Sequence, residues 1–282
     1  MENVGLVLEG GGMRGLYTCG VLEFFLENDL HFNYIIGVSA GALNAVSYIA
    51  KQKGRNKKVN LNFVKDWRYM SVRNLLLKKS FFGMDFIFEE IPNKHVPFDF
   101  ETFHNAECKF LVGTTDCNTG KPVYLNKEDI TEGFHALRAT SSLPFIAPIV
   151  NFKGYELLDG GISDSIPVVK SIEDGNEKNI IILTRNKEYR KSPMKHGRLL
   201  NLKYKKYPKL IKTMMDRYKN YNETLEYIEK LEREGKAIVI RPSQELKVGR
   251  LEKDPEKLQK LFENGYEDAK NSYEKIMGFA PK

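Results

Sequence analysis

A serine lies at the centre of the pentapeptide Gly37-Val38-Ser39-Ala40-Gly41. Acyl transfer needs a nucleophile that is exposed and yet fixed, and a serine at the tip of a sharp strand-to-helix turn meets both needs. Glycine at the first and last positions removes side chains that would collide in such a turn. The pentapeptide alone is a weak signal, but residues 34–36 before it favour a strand and residues 42–46 after it favour a helix. This context predicts that Ser39 is the nucleophile of an acyl-transfer enzyme.

A glycine-rich turn, Gly10-Gly11-Gly12-Met13-Arg14-Gly15, follows the first apolar run of the chain. Adjacent glycines let several backbone N–H groups point at one place, beside the positive end of the following helix. Gly10, Gly11 and Gly12 are therefore predicted to form an oxyanion hole. The same glycines match the dinucleotide-binding fingerprint, which also needs an acidic residue about 20 positions later at the end of the second strand. That strand ends in the Ser39 turn, without a carboxylate, so the oxyanion hole is favoured.

The base that would accept the Ser39 proton is less evident. A Ser-His-Asp triad needs a histidine, but none of the five lies in a glycine-bounded turn or beside a strand end, and each is interpreted as a surface or loop residue. The histidines are His31, His95, His104, His135 and His196. Asp159 follows the apolar pair Leu157-Leu158 and precedes Gly160-Gly161, so its carboxylate can lie at the end of a strand. The residue types fit a catalytic base, but by themselves they favour an ordinary turn aspartate.

The glycine-rich loop, the Ser39 pentapeptide and the triplet Asp159-Gly160-Gly161, in this order, resemble the motifs of the patatin-like phospholipases, in particular small bacterial members. The resemblance covers about the first 185 residues and includes residues 139–144 and 165–167. It implies acyl-ester hydrolysis by a Ser-Asp dyad, with Ser39 as nucleophile, Asp159 as general base and the glycine loop as oxyanion hole. Arg14 is interpreted first as a support that donates to backbone carbonyls of the loop, and second as a contact for a substrate phosphate. The residues of the supporting motifs are Met13, Arg14, Gly15, Gly37, Gly41, Gly160 and Gly161.

The elements that must hold these residues alternate along the chain. Apolar runs and helical periodicity predict a strand at 4–8, a helix at 16–28, a strand at 33–38 and a helix at 40–50. Residues 51–58 are predicted to form a surface loop. Further strands are predicted at 109–114, 122–125, 180–184 and 237–240, and further helices at 128–139, 208–234 and 255–277.

Strands that alternate with helices through tight turns indicate an α/β fold with a parallel sheet covered by helices. The resemblance implies a patatin-like three-layer α/β/α sandwich with a mainly parallel central sheet. We expect a catalytic domain at 1–185. Residues 186–282 are expected to form a basic, mainly helical C-terminal part with one further strand, packed on the same domain.

The composition is that of an ordinary globular protein, with 282 residues, 41% hydrophobic and 29% charged. The apolar run at 4–8 is too short for a signal peptide, and no stretch approaches the roughly 20 apolar residues that span a bilayer. Three cysteines are too few and too irregular for a disulfide framework or a zinc site. We therefore expect a cytoplasmic protein without a metal or cofactor, which could lie peripherally at the inner face of the membrane.

Two stretches bear on the substrate. Residues 63–103 are rich in aromatic and aliphatic side chains, which favours core packing and also fits an acyl-chain pocket or lid beside Ser39. Between Arg185 and Lys219, thirteen Lys or Arg stand against two acidic residues, so this segment is more basic than the whole chain with its net charge of +7. Its periodicity favours an amphipathic helix with a solvated basic face, and second a surface that contacts anionic phospholipid headgroups. No nucleic-acid recognition motif accompanies the charge, so no nucleic-acid partner is expected.

The sequence therefore predicts a serine acyl hydrolase of the phospholipase A or lysophospholipase type, which cleaves lipid acyl esters at a membrane surface. One alternative is a non-catalytic lipid-binding or partner-binding protein on the same fold, which the intact dyad disfavours. A second alternative is an acyltransferase that uses the same acyl-enzyme.

Overall fold

A computed structural model describes residues 3–194, 197–244 and 247–279, and its strands form one eight-stranded sheet. The strands are β1 (Val4–Leu8), β2 (Tyr34–Val38), β3 (Lys109–Asp116), β4 (Pro122–Asn126), β5 (Val150–Phe152), β6 (Tyr155–Asp159), β7 (Lys178–Ile182) and β8 (Ala237–Ile240). Successive pairings run β5-β6-β3-β2-β1-β7-β8, and β4 also pairs with β3. The five strands β3, β2, β1, β7 and β8 are mutually parallel, whereas β4 and β6 run antiparallel to β3.

Helices cover both faces of this sheet. They are α1 (Gly15–Glu27), α2 (Ala40–Ile49), α3 (Arg55–Phe63), α4 (Val72–Lys78), α5 (Phe100–Asn105), α6 (His135–Thr140), α7 (Val168–Glu173), α8 (Gly197–Tyr204), α9 (Pro208–Arg233), α10 (Pro255–Asn271) and α11 (Tyr273–Met277). Single 3₁₀ turns lie at Gly12–Arg14, Lys127–Asp129 and Gly160–Ile162, and a π-helix spans Phe86–His95.

The alternation of side chains along β1 shows how the layers form. Leu6 and Leu8 point into a core shared with α1, α2 and α10, whereas Val7 points into a second core shared with α7 and α9. Every residue of β1 and β2 is buried, as expected for parallel strands covered on both faces. The predicted three-layer α/β/α sandwich with a mainly parallel sheet is confirmed.

The strands and most helices lie within a few residues of their predicted positions, but three predictions are wrong in part. The helix expected at 128–139 is a 3₁₀ turn followed by the short α6. The helix expected at 255–277 is divided at Ser272 into α10 and α11. The loop expected at 51–58 ends at Gly54, where α3 begins. The Arg55 side chain explains the last case, because it donates to the carbonyls of Val96 and Pro97, partners about 40 residues away that no local pattern reveals.

The C-terminal part completes the same sheet and core. Strand β8 pairs with β7 in parallel, and α10 packs closely on α1. A Cβ on Gly20 would lie 2.0 Å from the carbonyl oxygen of Phe262, and one on Gly265 would lie 2.0 Å from that of Tyr17, so only glycine allows the two helices to approach this closely. The boundary at residue 185 stays a prediction. Among the described residues, no helix combines the length and apolar character needed to cross a bilayer.

Candidate active site

Ser39 occupies the turn between β2 and α2 with φ +52° and ψ −125°. A non-glycine residue in this region of backbone space is strained by about 1–3 kcal/mol, and such strain persists only where the surroundings impose it. The flanking glycines show how the surrounding backbone imposes this conformation on Ser39. A Cβ on Gly41 would lie 2.6 Å from the carbonyl oxygen of Leu8, and a Cβ on Gly37 would lie 2.8 Å from the backbone nitrogen of Ala42. The two glycines therefore allow a close approach of backbone that no other residue would permit.

Thr140, at the end of α6, holds this turn from the other side. Its hydroxyl accepts a hydrogen bond from the Ser39 N–H at 2.8 Å and donates one to the carbonyl oxygen of Gly113 in β3. The side chain is fully buried. Sequence reasoning did not single out Thr140, although it lies in the segment 139–144 that contributed to the family resemblance.

The register of β3 explains why Asp159 lies beside Ser39. Residues 111–113 of β3 pair with both β4 and β2, and residues 114–115 pair with both β4 and β6. Strands β2 and β6 therefore occupy the same edge of β3, end to end and in opposite directions. Val38 is opposite Gly113, and Asp159 is opposite Thr114, so the two strands end next to each other. The Ser39 turn and Asp159 meet at this junction.

The Asp159 carboxyl is almost fully buried, with 3% of the residue exposed. Its Oδ1 accepts a hydrogen bond from the Gly161 N–H at 2.8 Å, whereas Oδ2 has no regular hydrogen bond within the described residues. Burial raises the pKa of this carboxyl, and hydrogen bonding from the Ser39 hydroxyl and the positive charge of Arg217 oppose that shift without cancelling it. The Ser39 hydroxyl is therefore close enough to influence the Asp159 carboxyl but does not form a regular hydrogen bond with its Oδ2.

In the glycine loop, the N–H groups of Gly11 and Gly12 remain available within the described structure, whereas those of the residues on either side are already used. The N–H of Gly10 donates to the carbonyl of Ser165 over 3.4 Å, and that of Met13 donates to the carbonyl of Arg250 over 3.0 Å. Within the described residues, no acceptor is bonded to the N–H of Gly11 or Gly12. The three glycines predicted as an oxyanion hole are therefore not equivalent, because Gly10 is already engaged.

Two further glycines place this loop and the Asp159 turn against their neighbours. A Cβ on Gly15 would lie 2.6 Å from the Cβ of Ala40, the residue after Ser39. A Cβ on Gly160 would lie 2.2 Å from the carbonyl oxygen of Gly113. Close packing at both positions brings the three sequence motifs to one place.

Arg14 is buried beside this loop but does not brace it as expected. Its side chain forms no hydrogen bond to a loop carbonyl in the described structure, and its Nε has no partner there. Burial and the neighbouring charges of Arg185 and Arg250 lower the pKa of Arg14 to about 10, and Glu9 opposes them. The first interpretation of Arg14 is therefore not supported.

Two cavities open from Ser39, and both are lined by Ser39, Gly12 and Leu143. The larger has a volume of about 110 Å³ and an apolar wall. Much of that wall comes from the stretch 63–103, which the sequence analysis interpreted mainly as core. Its apolar wall residues there include Tyr69, Phe82, Met84, Ile87, Phe88 and Ile91. The second cavity is lined by cationic side chains.

The histidines lie elsewhere. None of the four described histidines lines either cavity. His95 packs against Phe63 and Phe86, and His135 stacks on Phe152. His196 falls outside the described residues.

Comparison with known proteins agrees with this architecture. Residues 6–170 match the family model of the patatin-like phospholipases, and residues 207–280 match a domain of unknown function (DUF6363). The first match spans more than half of the chain, so the chain belongs to the patatin-like phospholipase family.

Relatives and solved structures extend the comparison. The uncharacterized protein YjjU of Escherichia coli (strain K12) is 27% identical over 187 residues, which cover 64% of this chain and 52% of YjjU. Lysophospholipase NTE1 of Lodderomyces elongisporus is 29% identical over 210 residues, which cover 71% of this chain and 14% of that protein. The chain thus spans about half of the first relative and a small part of the second. The crystal structure of VipD from Legionella pneumophila aligns with a TM-score of 0.47 at 14% identity, over 96% of this chain and 66% of VipD.

Proposed function

We propose that this protein is a lipid acyl hydrolase that cleaves fatty-acyl esters through a Ser39–Asp159 dyad. The observation that carries the proposal is a strained serine next to a buried carboxyl, at the mouth of an apolar cavity. Membership of the patatin-like phospholipase family supports it, as does the similarity to proteins named lysophospholipase. The cavity would hold the acyl chain, and the ester would lie between Ser39 and the glycine loop.

In the proposed reaction, Asp159 accepts the proton of the Ser39 hydroxyl while Oγ forms a bond to the ester carbonyl carbon. The carbonyl electron pair moves to oxygen, and the N–H groups of Gly11 and Gly12 donate to this oxyanion. Collapse breaks the bond to the alcohol oxygen, which takes the proton from Asp159. Water then attacks the acyl-enzyme and gives its proton to Asp159, and Ser39 leaves with that proton as the fatty acid is released.

The environment of Asp159 suits the role of base. A general base is most effective when its pKa lies near the working pH, and an ordinary aspartate, with a pKa of about 3.9, is too acidic for this. Because burial raises the pKa of Asp159, the carboxylate gains basicity while remaining next to the Ser39 hydroxyl. A carboxylate can then do the work for which triads use histidine.

A fluorophosphonate probe tests the proposal because it labels an activated serine without needing the true substrate. We expect labelling of the wild type and none of Ser39→Ala, with both proteins unfolding cooperatively in urea. Labelling that persists in Ser39→Ala would assign the reactivity to another residue. Absence of labelling and of ester hydrolysis in the folded wild type would favour a non-catalytic lipid-binding protein.

We further propose that the protein contacts anionic membranes beside the entrance to the apolar cavity. Helix α4 exposes Leu76 and Leu77, and α8 exposes Leu199 and Leu202 among lysines and arginines. The segment that follows α4 and the end of α8 both contact the adjacent residues Phe145 and Ile146, so the two helices lie in the same region of the surface. The N–H of Phe81 donates to the carbonyl of Ile146, and the adjacent Phe145 N–H donates to the Tyr204 hydroxyl.

Apolar side chains inserted at the headgroup level, together with basic residues worth about 1 kcal/mol each near an anionic surface, favour this binding mode. Liposome co-sedimentation should increase with the phosphatidylserine content and decrease in Leu76→Ser. Met277→Ser, on the exposed face of α11, is a matched control. Sedimentation that does not depend on anionic lipid would contradict the proposal. The cytoplasmic location stays a prediction.

A further inference from the structure

The domain of unknown function, residues 207–280, reaches the candidate active site as well as the edge of the sheet. The carbonyl of Arg250 accepts a hydrogen bond from the Met13 N–H of the glycine loop at 3.0 Å. The Tyr221 hydroxyl donates to Glu9, which precedes that loop, at 2.7 Å. This domain therefore contacts elements that lie within the patatin-like part of the chain and next to the dyad.

Arg217, on α9 of the same domain, is attached to the turn that follows Asp159. It belongs to the basic segment 185–219, which the sequence analysis interpreted mainly as a solvated face, but unlike most cations of that segment it is partly buried and lines the second cavity. Its Nε donates to the carbonyl of Gly161, and the Gly161 N–H donates to Oδ1 of Asp159 at 2.8 Å. A single glycine therefore connects the guanidinium with the carboxyl. Lys195 of the basic segment falls outside the described residues.

The same glycine limits the distance between the two charged groups. A Cβ on Gly161 would lie 2.9 Å from Oδ1 of Asp159 and 3.2 Å from Nη2 of Arg217, so these two atoms are no more than about 6 Å apart. Within the described residues the two side chains form no direct ion pair. An opposite charge at about 4–6 Å lowers the pKa of a carboxyl by about 1–3. Burial raises the pKa of Asp159, and the charge of Arg217 opposes that rise.

Other charged or titratable groups face this pair from the neighbouring elements. In the described structure they are Glu9, Arg14, Arg185, Tyr189, Lys191, Tyr221 and Arg250. Lys191 is the one that complicates an experiment, because burial, followed by the charge of Arg217, lowers its pKa to about 6. A change at Arg217 would therefore also alter the titration of Lys191, and the two groups have to be separated.

We infer that Arg217 is a positioning residue for the proposed general base, because it holds the turn that follows Asp159 and supplies a positive charge beside that carboxyl. The inference rests on the proposed Ser39–Asp159 hydrolase and adds a residue that lies outside the family motifs. Because the Gly161 N–H occupies Oδ1, Oδ2 is the oxygen left for the Ser39 proton. Arg217 fixes this arrangement through Gly161 without touching the reacting atoms. The domain of unknown function thereby acquires a role in the reaction.

The test compares Arg217→Gln, which keeps an N–H donor and removes the charge, with Arg217→Lys, which keeps the charge and removes the planar donor group. Arg233→Gln, at an exposed position of α9, is the matched control. The Ser165 hydroxyl also donates to the Gly161 carbonyl, at 2.8 Å, so that carbonyl keeps a partner in each variant. Urea unfolding checks that the proteins fold, and kcat/KM for p-nitrophenyl butyrate is measured from acid to neutral pH.

The pH profile of kcat/KM reports the groups that titrate in the free enzyme. Without the charge of Arg217 the pKa of Asp159 should rise, so we expect the acid limb of Arg217→Gln to move upward by about one pH unit or more. In Arg217→Lys the acid limb should stay close to that of the wild type. Its kcat at the plateau should nevertheless fall about tenfold, because an ammonium cannot reproduce the donor geometry that holds the turn. Arg233→Gln should match the wild type in both respects.

The same comparison in a Lys191→Met background separates Asp159 from Lys191. Arg217→Gln would also raise the pKa of Lys191, because the charge of Arg217 helps to lower it. An upward shift of the acid limb that persists in the Lys191→Met background would support the inference. A shift that disappears there would assign the acid limb to Lys191 and overturn the inference.

The remaining outcomes distinguish this inference from the proposed function. If the wild type hydrolyses the ester and the acid limb of Arg217→Gln coincides with that of the wild type, the inference is wrong while the hydrolase proposal stands. Wild-type kcat in Arg217→Lys would show that the guanidinium does not position the turn, and this comparison decides alone if Arg217→Gln does not fold. If the wild type neither hydrolyses the ester nor reacts with the fluorophosphonate probe, both proposals fail.

Discussion

The hydroxyl of Thr140 links the nucleophile turn to the sheet, and removing it tests how that turn is held. Thr140→Val replaces the hydroxyl with a methyl group of similar size. The Ser39 N–H and the Gly113 carbonyl would then both lose a buried partner. An unsatisfied buried polar group costs about 1–3 kcal/mol, so we expect the free energy of unfolding to fall by about 2–4 kcal/mol. Thr140→Ser keeps the hydroxyl and loses one buried methyl, which costs only about 1 kcal/mol.

The same change should affect catalysis more than the loss of stability alone. The Ser39 backbone is strained, and without the Thr140 hydroxyl it can relax and displace Oγ. A displacement of about 1 Å can cost a factor of about 100, so we expect kcat for p-nitrophenyl butyrate to fall about tenfold to a hundredfold in Thr140→Val. In Thr140→Ser, kcat should stay within about threefold of the wild type.

Urea unfolding and initial rates, measured well below the unfolding transition, separate the two effects. Equal kcat in Thr140→Val and Thr140→Ser would show that the hydroxyl stabilises the fold without positioning the nucleophile. Equal stability of the two variants would show that the two hydrogen bonds of the Thr140 hydroxyl do not stabilise the fold.

Further outcomes are expected at three other positions. Because the pKa of Asp159 is raised, the acid limb of the pH profile of kcat/KM should lie above the ordinary range of an aspartate, and Asp159→Asn should lower kcat by about 10²–10⁴. A raised pKa means that ionisation of Asp159 opposes folding, so the free energy of unfolding increases as the pH falls through the folded-state pKa. Asp159→Asn, which cannot ionise, should therefore unfold at a higher urea concentration than the wild type at neutral pH. A lower urea midpoint would contradict this expectation. Val59→Phe should lower kcat/KM for dodecanoyl esters about tenfold or more relative to butanoyl esters, because Val59 lines the apolar cavity; an unchanged ratio would place the chain elsewhere. Gly41→Ala should destabilise the protein by at least about 1–3 kcal/mol in urea unfolding, because its Cβ would meet the Leu8 carbonyl, and a neutral effect would contradict the packing argument.

Local patterns predicted those parts of the fold and site that depend on a few consecutive residues. The Ser39 turn needs one strand, one helix and two glycines, and all of them lie within the stretch that was predicted from the sequence. The family resemblance predicted that Asp159 lies at the same site as Ser39, whereas the residue types alone favoured an ordinary turn aspartate. The register of β3, which places Asp159 beside Ser39, depends on pairings between distant strands and has no local signature.

The residues that sequence reasoning missed all act through tertiary contacts. Thr140 looks like any polar residue at the end of a helix, and its role arises only where α6 meets β3. Arg217 lies on a helix whose periodicity indicated a basic face, but periodicity does not reveal which cation turns inward. Lys191 and Arg250 lie outside helices and strands, where neither periodicity nor capping applies.

Because β2 and β6 lie end to end on β3, the elements that hold Ser39 and Asp159 are distinct from those that line the apolar cavity. The positions of Ser39 and Asp159 are fixed by the pairing of adjacent strands, whereas much of the apolar wall comes from the stretch between α3 and β3. This stretch can be exchanged without altering the strand pairings that hold Ser39 and Asp159. Replacing it with one of different volume would redefine the chain lengths that fit and leave the strand register unchanged. Under the proposed function, selectivity for acyl chains can therefore diverge in evolution, or be redesigned in the laboratory, without a change in the strands that hold Ser39 and Asp159.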